Sequence, residues 1–476
     1  MKRSHELIVV GDLLLDRDLE GAVERLSPDA PVPVVEDVCA HERPGGAGLA
    51  ALLAAGDGRD VTLVTGVADD AAGRRAVALL RAAGVTVLAL EFAGSTPEKV
   101  RIRAHQRSLL RLDHGGAPGT VGPLTSAARR ALRTAGAVLV SDYGRGVTAQ
   151  PSLRAWLREA APRIPVVWDP HPRGAQPVTG TRLVMPNLAE TRAAVGGVLA
   201  DLHAVTAAGR ALLDRWQAAG VAVTMGAKGA LLVSADATPL AVPCPERPVL
   251  TDPCGAGDRF AATAAGALCD GALVSEAVVR AVGTATAFVA GGWAASVRPP
   301  DAEGSSATGY ETGGGAPLEP IAGLAAARAL IAATRSRGGA AVATGGCFDL
   351  LHAGHVRMLA AARDLGDCLV VCLNSDDSVR RLKGPGRPVV SATDRAAVLA
   401  ALASVDAVVL FDEDTPETVL TALQPDVWAK GADYTLDDLP EAKLLASWGG
   451  QAVVLPYLDG RSTTLILQEA LHHDSS

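Results

Sequence analysis

The chain has 476 residues, 49% of them hydrophobic and 20% charged, and a formal net charge of -8. Its length exceeds one ordinary domain, so two or three are expected. The acidic balance, the absence of a basic run and an aromatic share of only 3% argue against nucleic acid or an anionic membrane as partner. Any phosphate site must then be a local pocket.

The seven cysteines (Cys39, Cys244, Cys254, Cys269, Cys347, Cys368 and Cys372) form no CxxC and no paired framework. They read as small buried residues in a reducing compartment. The start, MKRSHELIVVGD, enters a strand without the apolar core of a signal peptide, and no apolar run reaches about 20 residues. A cytoplasmic protein is expected.

Leu7–Val10 is a continuous apolar strand followed by Asp12 and Asp16, whose carboxylates stand where open α/β sheets place ligands. Sugar hydroxyls or a plain turn would both account for them. Leu26–Val35 carries prolines that confine it to an edge strand or projecting flap. Gly45 and Gly46 precede an Ala/Leu-rich helix over 49–55. Strands are then expected at Val61–Val64, Val85–Leu90, Ala137–Val140, Val166–Asp169, Leu183–Pro186 and Val221–Met225. Helices alternate with them near 71–83, 125–135, 152–161, 188–195 and 204–219. Such alternation predicts a parallel sheet flanked by helices. Lys99–Arg111 reads as a second flap strand whose cations (Lys99, Arg101, Arg103, Arg107, Arg111) face solvent or a phosphorylated substrate.

Thr251-Asp252-Pro253-Cys254-Gly255-Ala256-Gly257-Asp258 opens a helix over 259–269. Gly255, Ala256 and Gly257 can present consecutive N–H groups to an anion, with Asp258 placed to take a proton from an attacking hydroxyl. With Mg²⁺ this is nearly a complete set for phosphoryl transfer. Residues 298–315 are rich in Gly, Ser, Pro and Thr and read as a linker, with a helix following over 322–337.

The most informative stretch is Thr344–His355, TGGCFDLLHAGH. A short strand precedes it, Gly345 and Gly346 read as a turn, and helical spacing starts at Leu351. His352 and His355 fall on one face of the helix start, a place suited to triphosphate oxygens. Further strands are expected at Leu369–Leu373, Ala407–Phe411, Val427–Lys430 and Gln451–Leu455. Ser462, Thr463 and Thr464 head a final helix, where they either cap it or bind phosphate.

With these motifs assembled, residues 1–300 resemble a ribokinase-like (PfkB) sugar kinase, an α/β/α sandwich with a small β flap. Residues 336–476 resemble a Rossmann-like nucleotidyltransferase of the HxGH type, with 301–335 as linker and connecting helix. The order, together with GDLLLDR (11–17), LSPDAPVPVV (26–35), SDYGRG (141–146), MPNLAE (185–190), GAGD (255–258) and NSDDSVRRLKGPGRP (374–388), is similar to the fused heptose 7-phosphate kinase and heptose 1-phosphate adenylyltransferase family.

The resemblance implies that Asp258 is the kinase base, that Gly255, Ala256 and Gly257 hold the γ-phosphate, and that Asn187 and Glu190 organise Mg²⁺ through water. Asp12 would bind the sugar and Asp142 lie near the reacting phosphate, with Gly45, Gly46, Gly226 and Lys228 also at the substrates. In the second half His352 and His355 would be catalytic, while Thr344, Phe348, Asp349, Lys383, Arg387, Lys430, Ser462, Thr463 and Thr464 would bind ATP. ATP is implied as co-substrate at both sites, a separate bisphosphate phosphatase between them, and a homodimer through the N-terminal domain. Four positions depart from the family pattern: Leu49, Cys254, Arg259 and His171. They leave open a different sugar phosphate, or a kinase-like half that only binds sugar.

Overall fold

The computed structural model describes residues 6–104, 107–115, 119–235, 237–245, 254–291, 323–432 and 439–456. The described chain divides into two compact units. One comprises the residues up to Gly197, 208–227 and 244–291; the other comprises 198–207, 228–243 and those from 323 onward.

The first unit begins with β1 (Leu7–Gly11), β2 (Leu13–Leu26), β3 (Pro33–Gly46) and helix α1 (Ala47–Gly56). Next come β4 (Val61–Val67), α2 (Ala71–Ala82), β5 (Thr86–Ala93), β6 (Glu98–Ala104), β7 (Arg107–His114) and β8 (Thr120–Val121). It continues through α3 (Ser126–Thr134), β9 (Ala137–Ser141), α4 (Pro151–Ala160), β10 (Val166–Asp169), β11 (Leu183–Val184) and α5 (Leu188–Val195). Helix α6 (Leu202–Trp216), β12 (Gly220–Thr224), α7 (Ala256–Cys269) and α8 (Val274–Ala290) follow in the chain.

The main sheet runs β12-β11-β10-β9-β1-β4-β5-β8. Its strands are parallel except β8, which runs antiparallel to β5. β1 and β9 are buried along their whole lengths, as continuous apolar runs in a doubly covered parallel sheet must be. Chain order reverses between β1 and β9, so the loops after Gly11 and Ser141 form the crevice where such sheets bind ligands.

The flap is a four-stranded sheet ordered β3-β2-β6-β7. The single strand expected over Lys99–Arg111 is instead two strands, β6 and β7, paired antiparallel with Val100 opposite Leu112. β2 also extends far past the first motif, because Asp16 and Asp18 alternate with Leu15 and Leu19 along a strand whose buried face is charged. Arg43 of β3 donates Nη1 to Asp18 Oδ2 at 2.6 Å, both side chains being almost fully buried.

The second unit adds β13 (Ala230–Ser234), β14 (Leu240–Val242), α9 (Leu324–Ser336), β15 (Ala341–Gly346), α10 (Ala353–Arg363), β16 (Cys368–Asn374), α11 (Asp376–Lys383) and α12 (Ala392–Ala400). It is completed by β17 (Ala407–Phe411), α13 (Glu417–Leu423), β18 (Val427–Ala432), α14 (Glu441–Ala446) and β19 (Gln451–Pro456). The parallel order β17-β16-β15-β18-β19 reverses between β15 and β18, again putting the crevice at the carboxyl end of the first motif strand.

Gly345 and Gly346, expected as a turn, are the end of β15. Gly345 packs against the Trp428 ring, and a Cβ there would lie 2.6 Å from Cη2, so the strand can pass only without a side chain. The helix after it starts at Ala353 rather than Leu351, with His352 as its N-cap residue. The linker at 298–315 and the residues Ser462, Thr463 and Thr464 lie outside the described residues.

Asp18→Ala would leave Arg43 buried with Asp16 as its nearest carboxylate, 3.9 Å away. Breaking such a pair from one side costs about 3–5 kcal/mol. Urea titration of the full chain should show the transition of the first unit at a clearly lower midpoint, with that of the second unit unchanged.

Candidate active sites

In the first unit the crevice is built on a carboxylate that faces inward. Asp12 is 2% exposed and accepts N–H bonds from Tyr143 (3.0 Å), Arg145 (2.9 Å) and Val147 (3.1 Å). The expected sugar ligand is thus engaged with the loop after β9, and burial raises its carboxyl even against those three donors. Asp142 is likewise committed, to Gly144 N, Ala175 N and the Thr148 hydroxyl (2.8, 2.9 and 2.6 Å). Burial pushes Asp142 up to about 6, and neighbouring Asp12 adds to the rise.

The loop ordered by Asp12 carries Tyr143 to Asp258. Its hydroxyl donates to Asp258 Oδ1 at 2.9 Å, and Lys99 Nζ sits 4.9 Å from the Tyr143 ring centre. Asp258 stands in the first turn of α7, whose N-cap Gly255 has φ 83, a left-handed turn that favours glycine. Burial pushes its carboxyl up to about 7; Tyr143 and Lys99 pull it down, while Asp16 pushes it up. Asp169 lies close enough that burial and then the charges of Asp258, Glu190 and Asp142 raise it well above a normal carboxylate. A carboxylate near 7 that is held by one oxygen can take a proton with the other.

Asp16, not Asp12, presents an open oxygen. Its Oδ1 is buried without a hydrogen-bond partner, 3.7 Å from Arg101 Nη1, and Gly45 and Gly46 end β3 beside it. Arg101 in turn donates Nη2 to Cys254 Sγ at 3.1 Å, next to Gly255. Of the flap cations, Arg101 and Lys99 therefore reach the site, whereas Arg111 pairs with Asp113. Asn187 and Glu190 form a reciprocal capping box at the start of α5 (2.8 and 2.9 Å). Gly226 and Lys228 lie in an exposed 3₁₀ turn.

The departures from the family pattern have plain structural roles. Arg259 turns away from the crevice to Asp57, Leu49 is buried in α1, and His171 lies against Tyr143 with ring centres 6.3 Å apart.

In the second unit His352 and His355 stack, ring centres 3.9 Å apart, with Phe348 tilted 5.2 Å from His355. Burial drives His355 down to about 4, helped by His352 and Lys383 and opposed by the Leu350 backbone. Asp349 accepts from Val389 N (2.7 Å) and pairs with Arg387 at 2.8 Å, so the KGPGRP loop is tied to the first motif. Lys430 pairs with the buried Glu441 at 3.2 Å. Thr344 is fully buried, its hydroxyl 3.9 Å from Met358 Sδ.

Sequence reading missed Tyr143 and Arg395. Arg395 is 2% exposed and donates to the carbonyls of Val390, Cys347 and Asn374 and to Asp376. The available signal was one arginine inside the otherwise apolar end of ATDRAAVLA. Among the described residues, no group of three or more His, Cys, Asp or Glu could hold a metal ion directly, and no helix is long and apolar enough to cross a membrane.

Residues 4–297 match the pfkB family carbohydrate kinase model and residues 343–468 the cytidylyltransferase-like model. The chain is therefore a carbohydrate kinase fused to a nucleotidyltransferase, families that use ATP. The bifunctional protein HldE of Streptomyces coelicolor is 56% identical over 98% of this chain and 96% of its own. That of Pelobacter propionicus is 36% identical over 99% and 97%. The ribokinase of Arabidopsis thaliana, solved with ribose and ATP, is 19% identical, covering 60% of this chain and 92% of that one at a TM-score of 0.47. The chain belongs to the bifunctional HldE family.

His355 should stay neutral at pH 7 in the free protein. An NMR titration is expected to give its imidazole a midpoint near 4, moving up in His352→Ala. A midpoint at the ordinary histidine value would contradict the stacked, buried pair.

Proposed function

We propose that residues 1–300 phosphorylate heptose 7-phosphate at C1, and that residues 336–476, joined through 301–335, convert heptose 1-phosphate and ATP to ADP-heptose and pyrophosphate. The observation that carries the kinase reading is the buried Asp258 carboxyl, raised to about 7 and held at Oδ1 by Tyr143. In the proposed step Asp258 takes the C1 hydroxyl proton, the freed oxygen attacks the γ-phosphorus, and ADP leaves. Gly255, Ala256 and Gly257 offer N–H groups to the transferred phosphoryl. Asp16 and Arg101 face the sugar, while Asp12 and Asp142 shape the loops around it.

Mg²⁺ bound with ATP supplies charge neutralisation. Asn187 and Glu190 already cap α5 with their side chains, so a water-bridged hold fits them better than direct ligation.

In the second step an oxygen of the sugar phosphate attacks the α-phosphorus and pyrophosphate departs. His352 and His355 face the developing charge, with Thr344, Lys383, Lys430 and Ser462–Thr464 as further phosphate contacts. Phe348 packs on His355, and the Asp349–Arg387 pair fixes the loop beside it.

The product of the first step carries a phosphate at C7 that the second substrate lacks, so a separate phosphatase must act between them. The exposed leucines and valine of the flap (Leu26, Val38, Leu109, Leu110, Leu112) support a homodimer through that sheet. Its free cysteines fit a cytoplasmic enzyme. The alternative of a non-catalytic sugar-binding half is disfavoured by Arg259, whose side chain leaves the base unobstructed.

Phosphorus NMR of the full chain with Mg-ATP and heptose 7-phosphate, with and without an added phosphatase, tests both steps. Asp258→Asn should lower C1 phosphorylation by roughly 10²–10⁴ with nucleotidyl transfer intact; His355→Ala should do the reverse. Loss of both activities in both variants would sink the two-site reading.

Tyr143→Phe removes a hydrogen bond that favours the Asp258 carboxylate, so the carboxyl pKa rises from about 7. Since the base works deprotonated, the acid limb of the kinase kcat/KM profile should shift to higher pH. An unmoved limb would detach Tyr143 from the base.

A further inference from the structure

Arg259 directly follows the proposed base, yet its guanidinium serves the opposite side of α7. Nη2 reaches Asp57 and Nη1 the Leu53 carbonyl at the end of α1, while Nε is buried with no hydrogen-bond partner. Beside it opens a cavity of about 520 Å³. Arg259, Thr263 and Ala267 recur every fourth residue and line one side of it as a stripe of α7; Arg280, Gly283 and Thr284 line the other from one face of α8.

The gap exists because these helices meet there through small side chains. A Cβ built at Gly283 would meet nothing within 4 Å. The lining holds three guanidinium groups, Arg59, Arg259 and Arg280, against one carboxylate, Asp57. Asp270 occupies Arg59, bonding both of its terminal nitrogens. Arg280 is exposed and has no ion pair or side-chain hydrogen bond among the described residues.

We propose that this cavity is a second, non-catalytic site that binds the phosphate monoester of a sugar or small polyol. The planar forks of Arg280 and Arg259 suit a phosphate, which could displace Asp57 from Arg259 and accept from its orphaned Nε. The volume far exceeds that of a bare phosphate and lies within the range of small-molecule pockets. Thr263 and Thr284 also line the cavity; their hydroxyls donate to the carbonyls of Arg259 and Arg280, which leaves their oxygens as acceptors for the ester's own hydroxyls. The site backs onto the helix whose first turn carries Asp258, one residue from Arg259, so its ligand would sit behind the kinase centre without entering it.

Calorimetric titration of the full chain tests this, with both ATP sites first saturated by a non-hydrolysable ATP analogue and with glucose 6-phosphate and inorganic phosphate as probes. Glucose 6-phosphate should bind saturably and more tightly than phosphate. Arg280→Ala should weaken it roughly tenfold or more, the loss expected for a charge-assisted hydrogen bond, and Arg280→Lys by less. Equal binding by the wild-type chain and Arg280→Ala would overturn the site. Equal affinities for the two probes would overturn the ester assignment and leave a free-phosphate site.

Discussion

Three backbone N–H groups converge on one buried carboxylate, and the kinase centre depends on that arrangement. Asp12 closes the end of β1, and by binding the amides of Tyr143, Arg145 and Val147 it fixes the loop that leaves β9. Without it those donors would be left in a buried crevice at a cost of about 1–3 kcal/mol each. Tyr143, the second residue of that loop, then reaches across to α7 and holds Asp258. An early aspartate thus sets the geometry of the proposed base, Asp258, near the end of the same unit, with no direct contact needed between them. Asp142 repeats the device one residue before Tyr143, so both sides of the turn are anchored.

The two centres solve opposite electrostatic problems. In the kinase crevice, carboxylates crowd one another under burial, and the result is a carboxyl, that of Asp258, raised to about 7. In the transferase crevice, imidazoles crowd one another and a lysine, and the result is a histidine that resists charging. Each group is uncomfortable in the form that the coming substrate would favour. Phosphates would relieve the histidines, and bound cations with a sugar hydroxyl would relieve the carboxylates. Supporting residues hold the surrounding backbone: Arg395 binds the carbonyls of Cys347 and Asn374, and the Arg43–Asp18 pair ties two strands of the flap.

Much of this was legible in the chain itself. The alternation of apolar runs with Ala-rich helices places nearly every strand of both parallel sheets, because strands buried on both faces leave an unbroken apolar signature. The motif residues Asp258, His352, His355, Asp349 and Arg387 do assemble into two crevices. What escaped was long-range or sign-changing. The hairpin of β6 and β7 was hidden because its cations alternate as one strand would, and β2 because its buried face carries aspartates. Asp12 read as a ligand, since sequence does not reveal that its oxygens are filled by amides far along the chain. Tyr143 and Arg395 carried no periodic signal at all; their roles exist only after folding brings distant backbone groups to them.

The stacked imidazoles have a thermodynamic consequence. His355, held neutral by burial beside His352, would draw a proton from solvent on the arrival of a polyanion, because the incoming charge lifts the very pKa that burial depresses. Were the nucleotide to bind at that crevice, as proposed, binding would be coupled to proton uptake: apparent affinity would fall as the medium becomes more alkaline, and the binding heat would depend on the ionisation enthalpy of the buffer. Loss of pyrophosphate would reverse the exchange, returning the proton as the site empties. On the proposed function, His355 would thus give each turnover of the second unit a small proton cycle, driven by the arrival and departure of phosphate.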